Sequence, residues 1–417
     1  MDIDVAAAAT ATELRNVMVD RFRRYRLVSM ASVEAAMRVV PRHLFVPDAT
    51  IERAYSNEAV VTHRDVDGVA VSSASAPATV AVMLEQLDVQ PGHRVLEIGA
   101  GTGYNAALLA HLVGPAGKVT TVDIDREVVR GARECLAAAG CRDVTVLYGD
   151  GEFGYADHAP YDRIVVTAGA WDLPPAWVDQ LAPDGRLVVP LRMRGLTRSI
   201  AFEREDGHWR SRWIEECGFI PLRGAGGVAE RNIFLGSEGD LVLRIDDGQP
   251  VDEQALGHAL DYPPTLSWTG VIVSAGVFDH LDFWLVTMDG FCRFLVQSQT
   301  FDRGLITPAY NWGSMGVFDR DTFAYLTRRP TTHPDGIKHP PAELGVCAYG
   351  PGGEKLANRV ADRIRTWDQD RQSIIELWIE AHPADTDDTP TGQVAIRKRH
   401  TQIIVRTTLR EHSHEHE

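Results

Sequence analysis

From Arg94 onward the apolar positions fall into two alternating rhythms. Short runs of β-branched and aliphatic residues, "RVLEIG", "KVTTVDID", "VTVLYGD", "YDRIVVTAG" and "RLVVPL", are separated by stretches with helical spacing, "YNAALLAHLVG", "EVVRGARECLAAAG" and "PPAWVDQLAPDG". Unbroken apolar runs such as "RIVVTA" and "RLVVPL" suit strands of a parallel sheet covered on both faces, so this segment predicts a doubly wound α/β sheet. Upstream, "LRNVMVDRFRR" and "SVEAAMRVV" predict two helices, with Thr12 and Ser29 or Ser32 as candidate caps. After Pro41 and Pro47 the pattern turns irregular, and a helix is expected just after Pro77.

A second pattern begins beyond "GAGGVAE", Gly224 to Glu230, which reads as a boundary. It holds strand-like "RNIFLGSEGDLVLRID" and "QVAIRKRHTQIIVRTTL", and a predicted helix through "EKLANRVADRIRTWDQDRQSIIELWIEAH". Two units are expected, residues 1–225 and a smaller α+β unit over 226–417, as suits a chain of 417 residues. In the second unit Trp268, Phe278, Phe283, Trp284, Phe291 and Phe294 either line a groove for a peptide or pack a core. "GPGGEK", Gly350 to Lys355, reads as a flexible loop before a helix rather than a phosphate loop.

Composition narrows the partners. The chain is 44% hydrophobic and 24% charged and has no run of eighteen apolar residues, which points to a soluble protein; the acidic N-terminus lacks a secretory pattern, so a cytoplasmic location is expected. A net charge of −16 argues against nucleic acid and favours a peptide or small molecule. Cys135, Cys141, Cys217, Cys292 and Cys347 are scattered without CxxC spacing, so neither a disulfide frame nor a metal site is expected. The tail "EHSHEHE" reads as solvated or as a weak metal binder.

The informative stretch is "VLEIGAGTGYNAALLA", Val95 to Ala110. Gly99, Gly101 and Gly103 spell GxGxG between a strand and a helix, whereas the dinucleotide fingerprint needs GxGxxG and residue 104 is Tyr. A Walker loop would need a Gly-Lys-Ser/Thr ending, which is missing. Glu97, two residues before the first glycine, would repel a pyrophosphate but attract an ammonium, and S-adenosylmethionine (SAM) carries one. Asp123, twenty residues after Gly103, can accept from ribose hydroxyls. Asp150, beside Gly151 in "YGDG", can accept from an adenine amino group.

With these residues in place, the sequence resembles the protein L-isoaspartyl O-methyltransferases. "VVPRHLFVP", "AYSNEAV", "SASAPATVAVMLEQLDVQPGHRVLEIGAGTGYNAALLA", "YDRIVVTAGAWDLPPAWVDQLAPDGRLVVPL" and "GFIPLRG" follow one another in that family's order, over about Leu14 to Gly224. The resemblance implies a class I SAM-dependent methyltransferase with a Rossmann-like sheet, forming S-adenosyl-L-homocysteine. It implies a cofactor set of Glu97, Gly99, Gly101, Gly103, Asp123, Asp150, Gly151 and Thr167. In "SAP" it implies that Ser75 offers a hydroxyl to the substrate carboxylate, with Ser73, Ala74, Ala76 and Pro77 around it. Ser73 stands where the family usually has Thr and Ala74 where a larger aliphatic is usual, which implies a wider pocket.

A carboxylate is already ionised at neutral pH, so methyl transfer to it needs alignment rather than a general base, and neither His43 nor His63 is expected to be catalytic. The long extension resembles that of methyltransferases of ribosomal peptide natural products (lanthipeptide, lasso peptide, graspetide). This implies tailoring of one constrained peptide at an aspartate, with aspartimide as the outcome. The alternatives are general repair of isoaspartyl proteins and a SAM-sensing or leader-binding module without turnover.

Overall fold

The computed structural model describes residues 2–236, 239–246, 248–274, 280–296, 306–309, 313–331, 341–386 and 395–409. Helices α1 (Asp2–Arg24) and α2 (Ala31–Val39) open the chain. Thr12 falls inside α1, and neither Ser29 nor Ser32 caps α2 through its side chain. Ser29 Oγ donates to Glu85 instead, and the same buried carboxylate accepts the Met30 amide at 2.9 Å, so another helix satisfies the free end of α2.

The stretch expected to be irregular folds into α3 (Ile51–Ala54) and a hairpin of β1 (Val60–Arg64) with β2 (Ala70–Ala74). The signal is "DVDG". Asp65 accepts the amides of Asp67 at 3.0 Å and Val69 at 2.8 Å, and Gly68 takes a φ of 79° that closes the turn.

The core of the catalytic half follows in the expected alternation: α4 (Pro77–Leu87), β3 (Arg94–Ile98), α5 (Tyr104–Val113), β4 (Lys118–Asp123), α6 (Arg126–Ala138), β5 (Val144–Tyr148), β6 (Tyr161–Val166), α7 (Pro175–Gln180) and β7 (Leu181–Met193). Its strands run parallel in the order β7-β6-β3-β4-β5. The chain leaves β3 on one side through β4 and β5 and returns on its other side as β6. In such sheets ligands bind outside the carboxyl ends of the strands where the order reverses, here at β3. β8 (Leu196–Glu205) and β9 (His208–Glu216) extend the sheet antiparallel.

The later chain builds β10 (Glu230–Leu235), β11 (Leu241–Asp246), α8 (Glu253–Gly257), β12 (Thr265–Val273), α9 (Leu281–Val286), β13 (Phe291–Val296), β14 (Gly313–Asp319), β15 (Thr322–Pro330) and β16 (Ala342–Tyr349). Its seven strands form an antiparallel sheet in the order β10-β11-β13-β14-β15-β16-β12, and α10 (Gly353–Asp370) packs on it. The helix expected to continue to residue 382 stops at Asp370, and "IIELWIEAHP" becomes β17 (Ile374–Pro383). This run is rich in β-branched and aromatic residues, and it pairs with β9 on one side and β19 (Thr401–Leu409) on the other. β18 (Ala395–Arg397) completes a ten-stranded sheet, β18-β19-β17-β9-β8-β7-β6-β3-β4-β5.

The expected division at 225/226 is therefore not a division of the sheets, because the last strands return to the first one. One face of that sheet carries Leu187, Val189, Leu191 and Phe202 into a single buried cluster with Val271, Phe283, Leu344, Ile364 and Trp367 of the later chain. The opposite face packs Val95, Val119, Val165 and Val188 against α1, α2, α4 and α5. Of the aromatic residues singled out above, Phe283, Phe291 and Phe294 are core, while Arg329 stacks on Trp268 and Arg363 on Trp284; Phe278 and the His-rich tail lie outside the described residues. Among the described residues no helix is long and apolar enough to cross a membrane.

The shared cluster makes a prediction. Residues 1–226 alone leave a large apolar face uncovered and should aggregate, or melt at least about 10 °C below the full chain, in size exclusion and thermal unfolding. A monomeric fragment with the parent midpoint would contradict the shared core.

Candidate functional site

Glu97, next to last in β3, has no exposed surface. Its carboxylate accepts from Thr121 Oγ1 at 2.6 Å and from Asn105 Nδ2 at 2.8 Å. Burial nevertheless pushes its pKa from 4.5 up to about 7, against the lowering effect of those two bonds. Holding this carboxylate ionised thus costs the fold stability as pH rises from 4.5 through about 7. A cation brought beside it would reverse that cost.

The glycine turn lies beyond β3. Gly99 has a φ of 101°, and a Cβ there would sit 2.5 Å from Thr167 Oγ1, which itself donates to the Gly99 carbonyl at 2.6 Å. Gly101 has a φ of 50°, and its amide donates to Asp123 Oδ2 at 3.2 Å; Asp123 Oδ1 accepts the Asp125 amide at 3.0 Å. Burial raises the Asp123 pKa. Ser73, Ala74, Ser75, Glu97, Gly99, Gly101, Asp123, Gly151 and Thr167 all line one cavity at the carboxyl ends of the strands.

Four expected residues stand outside that lining. Gly103 is the N-cap of α5 and faces Leu136; Ala76 and Pro77 start α4. Asp150 turns its carboxylate to the chain, Oδ1 accepting from the Glu152 amide at 3.0 Å and Oδ2 from the Ala225 amide at 2.8 Å. It caps the short turn Gly151–Phe153, the ordinary alternative use of an Asp at a strand end. His43 bonds the Tyr55 hydroxyl at 2.8 Å, and His63 lines a neighbouring hollow.

The cavity also holds residues that the motifs did not point to. Arg42, fully buried, donates to the carbonyls of Ala54 at 2.9 Å and Ser75 at 2.8 Å, pinning the "SAP" turn to α3. Among the described residues its Nη1 and the Tyr104 hydroxyl, both buried, have no hydrogen-bond partner, and the guanidinium lies 4.9 Å above the Tyr104 ring. Burial lowers the Arg42 pKa. An arginine inside the apolar run "VVPRHLFVP" was the available signal, since a buried charge needs partners. Phe219 to Arg223 close the remaining wall through the bridge of Gly169 to Pro221, a long-range pairing with no local signature.

Glu97, Asp123, Arg42 and the Ser73–Ser75 segment at the end of β2 therefore share one cavity, and a Cβ on Gly101 would lie 3.6 Å from the Ser73 carbonyl. SAM fits this donor set. The buried Glu97 carboxylate and the glycine turn suit its ammonium and its close backbone approach, and Asp123 its ribose. Elsewhere, His208, Glu380 and His382 bring ligating atoms within 4.8 Å of one another at the β9–β17 junction. Burial would raise the Glu380 pKa, but bonds from His382, Trp378 and Arg406 outweigh it and bring the group down to about 2. Arg406, at 2.8 Å, already supplies the cation this carboxylate needs.

A family model described as protein-L-isoaspartate(D-aspartate) O-methyltransferase matches residues 13–226. A protein-L-isoaspartate O-methyltransferase of Methanopyrus kandleri is 43% identical over 218 residues, which cover 52% of this chain and 94% of that protein. One from Hyperthermus butylicus is 40% identical over 228 residues, covering 52% and 92%. A solved protein-L-isoaspartate O-methyltransferase aligns over 88% of this chain and 96% of its own, with a TM-score of 0.48 and 22% identity. A putative Plasmodium falciparum enzyme of that description, in complex with S-adenosyl-L-homocysteine, aligns over 50% and 97% with a TM-score of 0.44 and 19% identity.

Two substitutions test the cofactor side by calorimetry with S-adenosyl-L-homocysteine. Asp123→Ala should weaken binding by about 1–3 kcal/mol through lost charge-assisted bonds. Gly101→Val forces a β-branched residue into a left-handed conformation and should abolish binding. Parent affinity in either folded variant would remove the cofactor from this cavity.

Proposed function

The chain belongs to the protein-L-isoaspartate(D-aspartate) O-methyltransferase family and is a SAM-dependent carboxyl methyltransferase, and from that membership we propose that its acceptor is the free carboxylate of an isoaspartyl residue in a peptide or protein. One observation carries this reading: every residue lining the cavity lies at or before Arg223, within the span the family shares. General repair is the reading this arrangement favours.

The cofactor supplies a methyl group made electrophilic by its sulfonium. The protein supplies position. Ser75 offers its hydroxyl to the acceptor carboxylate, and Arg42 keeps the Ser75 turn in place through its carbonyl. The acceptor is ionised near neutral pH, so no side chain has to remove a proton. Holding the reacting atoms roughly 3 to 3.5 Å apart is worth several kcal/mol. Glu97 and Asp123 hold the cofactor, and Ser75 lines the same cavity, so the two reactants meet there. In the product ester, the following backbone amide nitrogen can attack the ester carbonyl, lose its proton and expel methanol, closing a five-membered succinimide.

The tailoring of one constrained ribosomal peptide has a separate observation in its favour. A groove of ≈ 1090 Å³ runs between the catalytic sheet and the later chain, lined by Arg198, Arg212, Trp213, Glu216, Phe283 and Leu295 among others, and shares no residue with the cavity. Remote contacts there could select a single peptide. In either reading the acceptor is a peptide or protein, not nucleic acid, and the reaction is cytoplasmic.

Two measurements check the proposal. Ser75→Ala should lower kcat/KM for the acceptor by about tenfold to a hundredfold while cofactor affinity holds. Methylation followed by mass spectrometry should favour a linear isoaspartyl peptide over its aspartyl counterpart and over a cyclised aspartyl peptide. Preference for the cyclised aspartyl peptide would replace repair with tailoring.

A further inference from the structure

Lys398 lies in the turn between β18 and β19 and is 8% exposed. Its ammonium donates to the carbonyls of Trp171 and Arg192 and lies 5.0 Å over the Trp171 ring. The next residues of the turn reach the same place. The His400 amide donates to Asp172 Oδ2 at 2.6 Å, and Thr401 Oγ1 to Asp172 Oδ1 at 2.5 Å, with Asp172 itself buried. One short turn therefore satisfies a partly buried carbonyl and a buried carboxylate of the loop after β6 and a buried carbonyl of β7. Buried groups of this kind are costly when left unpaired.

That loop is a wall of the cofactor cavity. Thr167 and Ala168 line the cavity directly, and the amides of Gly169 and Ala170 donate to the carbonyls of Ile220 and Pro190 at 2.8 Å each. The Leu222 amide returns to the Gly169 carbonyl at 2.9 Å, so the Phe219–Arg223 wall rests on the same loop. A second line of contact runs from Arg399 Nη1 to the Ala225 carbonyl at 2.9 Å and from the Ala225 amide to Asp150 at 2.8 Å. His400 Nε2 stands 3.6 Å from Glu152 Oε1 in that turn.

We propose that Lys398 and Thr401 are positioning residues for the cofactor, holding the walls Thr167–Asp172 and Phe219–Arg223 in the shape that receives it. The later chain thereby enters the cofactor site from outside the span matched by the family, which ends at residue 226. It does so without lining the cavity, through the carbonyls and carboxylate behind the wall.

The test uses the full chain with Lys398→Met and Thr401→Val, with circular dichroism and thermal unfolding to establish that each variant is folded. Calorimetry with S-adenosyl-L-homocysteine should show affinity reduced by about fivefold or more. KM for SAM should rise in step, while kcat at saturating SAM and KM for the acceptor move by less than about twofold. Thr401→Ser, which keeps the hydroxyl, should restore affinity, and Arg329→Ala, which breaks an exposed pair with Glu343 at the other sheet, should leave it unchanged. If Lys398→Met does not fold, Thr401→Val decides, since it removes one hydroxyl at constant shape. Unchanged affinity in folded variants, or equal losses for cofactor and acceptor, would overturn the assignment. Binding of the product cofactor is read without any acceptor, so this outcome is independent of which carboxylate the enzyme methylates.

Discussion

A carboxylate with no exposed surface at the end of the central parallel strand is the constraint around which the catalytic half is organised. Glu97 is held by Thr121 from β4 and Asn105 from α5, and these bonds only partly offset the cost of its burial. Such a group persists when it meets a cation in its working state. The glycine turn that follows brings backbone close to the same point, and Asp123 extends the acidic wall toward the next strand. In the same cavity the buried Arg42 holds the Ser75 carbonyl. The cavity thus holds both a buried carboxylate and a buried guanidinium, which suits methyl transfer from a sulfonium to a carboxylate.

The later chain is woven into this arrangement rather than appended to it. Its seven-stranded sheet covers one face of the catalytic sheet with a common apolar cluster, and its last strands pair with β9. The hairpin turn at Lys398 reaches the back of the cofactor wall. A region of this size can influence catalysis without presenting a single side chain to the cavity, by deciding how loops at the strand ends are held.

The alternation of strands and helices from Arg94 to Leu191 was legible because buried parallel strands and amphipathic helices have distinct periods. That Glu97, Asp123 and the GxGxG turn belong together was legible because they follow successive strand ends of one parallel sheet, and the structure brings them into one cavity. The β1–β2 hairpin was missed although "DVDG" marks its turn, and β17 was missed because a helical run passes into it without a Gly or Pro break. Asp150 was readable as an acid at a strand end, but the amide of Ala225 that it also accepts comes from a segment 75 residues away. Arg42, Phe219 to Arg223 and Lys398 owe their places to long-range pairing, which leaves no local period.

The most direct test of the role of Glu97 is the number of protons released when S-adenosyl-L-homocysteine binds, measured by calorimetry in buffers of different ionisation enthalpy. With the Glu97 carboxyl titrating at about 7, binding of an ammonium should expel about one proton near pH 6 and almost none near pH 8, and Glu97→Gln should abolish the release. A proton count near zero at both pH values in the parent enzyme would contradict the account.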